Sequence, residues 1–250
     1  MPSFLSGDIE IAYEVHGAGD PVLLIHGFGS NGRVNWIDTG WVETLASDGY
    51  QPITMDNRGH GESRKLYDPQ LYFAHDMALD AKHLLDHLEI QRAPVIGFSM
   101  GARIAAFLAL NHPEQVSATI WGGMGENLIT GLENSEEIIE ALTAESLSEV
   151  KGATGRVFRI FAEHTGADRA ALAACMVSSR EPMSEAEVAA ITVPVLVAVG
   201  SEDQMAGSPE VLAKLLQQGE AFLIPRRDHM RSTGDPRFKE AALEFLARHR

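Results

Sequence analysis

Gly97-Phe98-Ser99-Met100-Gly101 follows the apolar run Ala93-Pro94-Val95-Ile96 and leads straight into the helical stretch Arg103 to Leu108. A strand therefore turns into a helix around one serine, with a glycine two residues to either side. The glycines permit a junction too tight for side chains at those places and leave the serine exposed at its tip. Its hydroxyl then lies at a helix N-terminus, where unpaired N–H groups favour developing negative charge. This geometry, a nucleophile elbow, sets the serine up for covalent chemistry and requires a parallel strand–helix architecture around it.

The rest of the chain supplies that architecture. Ile9 to Val15 alternates apolar and polar residues, as a half-exposed antiparallel strand does. Val22-Leu23-Leu24-Ile25, Val95-Ile96, Ala118 to Trp121 and Val193 to Val199 are near-continuous apolar runs, the mark of strands covered by helices on both faces. Amphipathic helical patterns lie between them, at Trp41 to Ser47, Met77 to Leu88, Arg103 to Asn111, Pro209 to Gln217 and Phe238 to His249. The alternation predicts an α/β fold with a mostly parallel, eight-stranded sheet and helices on both faces.

Residues 126–190 break the alternation, with helical stretches at Ser135 to Leu147, Arg156 to His164, Arg169 to Val177 and Glu185 to Ala190 and no buried-strand run. They are expected to form a helical cap inserted in a core built from residues 1–125 and 191–250. Ile138, Ile139 and Leu142 fall on one helical face, as do Val157, Phe158, Ile160 and Phe161. Met124, Phe158 and Phe161 are candidates for lining a substrate pocket.

Composition narrows the function classes. The 250 residues carry 35 Asp and Glu against 20 Lys and Arg, a net charge of −15. A field of that sign disfavours nucleic acid and anionic membranes as partners. The single cysteine, Cys175, excludes an intramolecular disulfide and is expected to be a packing residue. No signal peptide or membrane-length apolar run is visible, so a cytoplasmic protein is expected.

A serine hydroxyl needs a base, and usually a carboxylate behind the base. Of the ten histidines, His229 follows the apolar run Ala221 to Pro225, just past the carboxyl end of the last strand. Asp203, in Gly200-Ser201-Glu202-Asp203, ends the strand before it. Catalytic groups gather at that edge of an open parallel sheet, and the chain order Ser99, Asp203, His229 suits this elbow. The backbone N–H groups of Phe28, in His26-Gly27-Phe28-Gly29, and of Met100 are the expected oxyanion donors. His26 is expected to be structural. His83 and His87 lie one helical turn apart, without a convergent third ligand, and are expected on a solvated face.

Together these motifs, with Asp56-Asn57-Arg58-Gly59-His60-Gly61-Glu62-Ser63, resemble the α/β-hydrolase fold superfamily in its capped, serine esterase- and lactonase-like branch. The resemblance implies hydrolysis of a small to medium ester or lactone through an acyl-enzyme, with no cofactor and no metal. It also implies that the Asp56 to Ser63 segment is a structural loop. Some relatives place the acid where Glu126 stands here, and often carry glycine where this chain has Asp228; Asp203 is the expected acid. Arg226, Arg227 and Arg231 are expected to pair with surface carboxylates. A carbon–carbon bond hydrolase, a cofactor-free perhydrolase and a small-molecule receptor with little turnover are the alternatives on the same scaffold. Oligomeric state is open.

Overall fold

The computed structural model describes residues 1–131 and 135–250; residues 132–134 of the expected cap lie outside the described residues. Strands β1 (Ser3–Ser6), β2 (Ile9–Val15), β3 (Asp20–Ile25), β4 (Tyr50–Met55), β5 (Ala93–Phe98), β6 (Val116–Gly122), β7 (Val195–Gly200) and β8 (Gly219–Ile224) form one sheet. Its order is β1-β2-β4-β3-β5-β6-β7-β8. The β1–β2 and β2–β4 pairs are antiparallel, and every pair from β4–β3 to β7–β8 is parallel. The mostly parallel eight-stranded α/β sheet expected from the sequence is therefore present.

Helices α1 (Trp41–Ser47), α2 (Ala74–His87) and α3 (Met100–Asn111) come from the first half of the chain. Between β6 and β7 lie α4 (Asn127–Thr130), α5 (Ser135–Thr143), α6 (Ala153–His164), α7 (Arg169–Ser178) and α8 (Glu185–Ala190). After β7 come α9 (Pro209–Leu215), α10 (His229–Ser232) and α11 (Pro236–Arg248). Among the described residues no helix is long and apolar enough to cross a membrane.

The continuous apolar runs have a direct cause in the packing. Successive side chains of a strand point to opposite faces, and here both faces are covered. Leu23, Ile25, Val95 and Val197 pack with Ala81 and Leu84 of α2 and Ala105 of α3. Val22, Leu24, Ile96 and Ala198 pack with Trp41 and Leu45 of α1 and with Phe238 and Phe245 of α11. No position along these strands is left for a polar face.

The helices between β6 and β7 are tied to α3 by Arg103, buried there although the surrounding stretch is apolar. Its guanidinium donates to the carbonyls of Asn127 (3.1 Å), Leu128 (3.2 Å) and Glu181 (2.5 Å). One charged side chain thus satisfies backbone acceptors on both sides of α5, α6 and α7. In α6 the expected apolar face is split. Phe158 and Phe161 turn inward, whereas Val157 and Ile160 are 53% and 47% exposed. The helix buries Gly155, Arg159 and Ala162 against its neighbours, with the Arg159 guanidinium donating to the Ala141 carbonyl at the end of α5. That registry rotates Val157 and Ile160 outward.

Candidate active site

Gly97 and Gly101 are required by close approach, not by φ. A Cβ on Gly97 would lie 2.2 Å from the Gly101 carbonyl oxygen, and one on Gly101 would lie 2.0 Å from that of Ile25. The chain between them is so tight that Ser99 adopts φ 53° and ψ −114°, a strained conformation for a residue with a side chain. Neighbouring backbone holds it there. The Ser99 N–H donates to the Gly122 carbonyl at 2.7 Å, and the Ser99 carbonyl accepts from Ala102 at 2.9 Å.

His229 opens α10 just past β8, and Asp203 follows β7. Ser99 Oγ lies 3.0 Å from His229 Nε2, and Asp203 Oδ2 lies 2.7 Å from His229 Nδ1. An ionised carboxylate only accepts, so Nδ1 carries the imidazole proton and the Nε2 lone pair faces the serine hydroxyl. The Asp203 side chain is wholly buried, and its other oxygen accepts from the Met205 (2.9 Å) and Ala206 (3.1 Å) amides. Both carboxylate oxygens are thereby fixed in place.

Glu126 and Asp228 make no such contact. Glu126 flanks α4, where its backbone N–H and carbonyl are bonded and its carboxylate has no hydrogen-bond partner among the described residues. Asp228 caps α10 by accepting from the Arg231 amide at 2.8 Å. Of the three arginines expected to pair with surface carboxylates, only Arg231 does so, with Asp228 at 3.6 Å. Arg227 pairs at 2.5 Å with Asp235, whose side chain is fully buried, and Arg226 has no carboxylate partner among the described residues, its backbone N–H donating to Ser201 Oγ.

On the other side of Ser99, neither the Phe28 nor the Met100 backbone N–H meets an acceptor among the described residues. The loop carrying Phe28 is built on His26. The His26 Nδ1–H donates to the Gly27 carbonyl at 2.8 Å, and Nε2 accepts from the Asn57 amide at 2.9 Å. Burial pushes His26 down to about 4, so the ring is neutral and both bonds hold. Asp56 accepts from the Gly32 (2.7 Å) and Glu62 (2.8 Å) amides, and Arg58 makes a buried bidentate pair with Asp80 (2.7 Å for each bond). The charged residues Asp56 and Arg58 of this loop are thus engaged in holding it.

A cavity of about 150 Å³ opens beside Ser99 and His229. Phe28, Val34, Phe98, Phe158, Phe161 and Met230 supply apolar walls, and Ser30, Asn35, Thr39 and Thr233 add polar groups. The Phe28 and Phe158 rings meet edge to face at 5.8 Å, closing α6 onto the loop after β3. Met124, expected here, is not among the residues lining this cavity. It is buried in the core with its sulfur 4.0 Å from the Arg103 guanidinium. Cys175 is buried against Met100 (3.8 Å between sulfurs), and loss of solvent pushes its thiol up to about 12. His83 and His87 meet different partners, Ser6 (2.9 Å) and Tyr13 (3.2 Å).

Two polar residues near the cavity escaped the sequence reading. Asn35 lies in the mixed stretch Arg33-Val34-Asn35-Trp36-Ile37-Asp38, and Arg180 sits between α7 and α8 with its guanidinium 5.3 Å above the Phe28 ring. Arg180 Nη2 is buried without a partner among the described residues. Burial pushes the group down to about 10, which leaves it charged at neutral pH. Neither has a local sequence signal, because each is defined by contacts across the fold.

The profile of the alpha/beta hydrolase fold family matches residues 20–124. The chain is 36% identical over 108 residues to 2-hydroxymuconate semialdehyde hydrolase of Pseudomonas sp. strain CF600, a match covering 43% of this chain and 37% of that protein. Several curated relatives are matched in this way over about two fifths of their length. Among solved structures, a hydrolase from Pseudomonas aeruginosa PA01 superposes with a TM-score of 0.80 at 25% identity, covering 98% of this chain and 97% of the other. A thermophilic esterase from Thermogutta terrifontis gives 0.78 at 27% identity, covering 97% and 95%.

Proposed function

We propose that this chain, which belongs to the α/β-hydrolase fold superfamily, hydrolyses a small to medium ester or lactone with Ser99, His229 and Asp203 as its triad. The observation that carries this reading is the unbroken hydrogen-bond relay from Asp203 Oδ2 through the imidazole to Ser99 Oγ, at the edge of a cavity. His229 Nε2 takes the hydroxyl proton as Ser99 Oγ attacks the carbonyl carbon. The imidazolium formed is stabilised by the Asp203 carboxylate. The Phe28 and Met100 amides, without acceptors among the described residues, bind the oxygen that becomes negative. His229 then protonates the leaving alcohol, and water repeats the sequence on the acyl-enzyme. The segment 126–190 acts as a cap, with Phe158 and Phe161 of α6 forming part of the pocket wall.

A second reading, carbon–carbon cleavage of a vinylogous diketone, is favoured by one feature. Arg180 Nη2, buried beside Phe28 without a partner among the described residues, suits a substrate that carries an acid group. A panel of esters, lactones and diketones, with Ser99→Ala as control, separates the two. Ester or lactone turnover that disappears in Ser99→Ala supports the first reading. Turnover of diketones alone would replace it, and undiminished activity in Ser99→Ala would remove the triad from either.

A further inference from the structure

Residues Arg33–Ile37 form a π-helical turn, with the Asp38 N–H donating to the Arg33 carbonyl at 2.9 Å. Such turns are rare and occur frequently at functional sites. Here the turn buries Asn35, 5% exposed, in the wall of the Ser99 cavity. Asn35 Oδ1 accepts from the Gly27 N–H at 3.0 Å, next to the Phe28 amide assigned to the oxyanion. Its Nδ2 is buried and has no partner among the described residues. The amide cannot be turned over to relieve this, because Nδ2 would then face the Gly27 N–H, donor against donor.

We propose that Asn35 positions the oxyanion loop through Oδ1 and selects the acyl group through Nδ2, so that the preferred acyl chain carries a hydrogen-bond acceptor oxygen. The inference rests on the hydrolase reading above and deepens it. Leaving a buried donor unpaired costs about 1–3 kcal/mol; Asn35 lines the Ser99 cavity, so a substrate oxygen seated against it would supply the missing partner. The acyl side is chosen because Asn35 grips the loop whose next amide, that of Phe28, is assigned above to the carbonyl oxygen of the acyl group. A cavity of about 150 Å³ matches roughly the size that holds a benzene molecule. The acceptor is therefore an ether, hydroxyl or ketone oxygen within a short chain, not the end of a long one.

The test compares two p-nitrophenyl esters, methoxyacetate and butyrate, whose acyl chains differ by one ether oxygen in place of a methylene. Each kcat/KM is divided by that ester's rate constant with hydroxide, which removes the difference in intrinsic reactivity. The corrected ratio should favour methoxyacetate by roughly 3- to 10-fold in the wild type, the worth of one neutral hydrogen bond. Asn35→Asp keeps an acceptor for Gly27 and loses the NH₂ donor; Asn35→Ala loses both. Both variants should bring the ratio to about one, with Asn35→Ala losing more kcat on either ester. A role confined to holding the loop would lower both esters equally and leave the ratio unchanged, which overturns the proposal. A wild-type ratio near one overturns it without recourse to any variant, and points to a trapped water as the partner. If no ester or lactone is turned over, the ester and lactone reading itself falls and takes this inference with it.

Discussion

Of the three carboxylates the sequence offers to His229, Asp203 is the one bonded to the imidazole, and its buried position makes its charge effective. Asp203→Asn keeps the shape but removes that charge and favours the wrong tautomer. The loss in another triad enzyme is about 10⁴-fold in turnover, and here a loss of roughly 10²- to 10⁴-fold is expected. Glu126→Gln should cost far less, and Asp228→Asn should be nearly silent because asparagine caps a helix as well as aspartate does. Steady-state kinetics on the three variants, with folding checked by circular dichroism, reads this directly. Abolished turnover in Glu126→Gln beside a near-normal Asp203→Asn would move the acid to the strand before. Asp203 was readable from the sequence because a strand end is a recognisable place. Arg180 and Asn35 were not, because what makes them notable is a missing partner, and that exists only once the chain has folded.

At the scale of elements, the loops after β3 and β4 are welded together by two neutral histidines. His26 is pushed down to about 4 and His60 to about 3, chiefly by burial, with their rings 5.2 Å apart. In the unfolded chain both return to about 6.5. Above that pH both are neutral in either state, and the fold loses nothing. As pH falls below about 6.5, the unfolded chain binds protons that the fold refuses, so stability declines until His26 itself protonates near 4. The total is on the order of a few kcal/mol. Urea unfolding midpoints should therefore drop clearly between pH 7.5 and 5, above the range where most carboxylates titrate; equal midpoints would show that these rings are not held neutral. The strands and core helices were legible as apolar runs and amphipathic periods, because a sheet covered on both faces leaves no polar positions. The π-helical turn at Arg33–Ile37 was not, since an extra residue in a turn leaves no trace in periodicity. The outward turn of Val157 and Ile160 also escaped, because the contacts of Gly155, Arg159 and Ala162 set the rotation of α6.

Across the whole molecule, the parallel sheet brings residues more than a hundred positions apart to one edge, with Ser99 after β5, Asp203 after β7 and His229 after β8. Local pattern was enough to single out the three residues that the fold brings into contact, since each sits at a strand end with its own punctuation. What covers them came less fully from the sequence. Phe158 and Phe161 reach the cavity as expected, but Met124 is drawn into the core by the Arg103 anchor. The central claim is that this assembly makes Ser99 a nucleophile, unlike any other serine in the chain. Treating the protein with a serine-directed organophosphorus reagent and mapping the adduct by peptide mass spectrometry tests it most directly. The account predicts one adduct per chain, on Ser99, slowed by several orders of magnitude in His229→Ala. Labelling of a different serine, or labelling of Ser99 at an undiminished rate without His229, would contradict it.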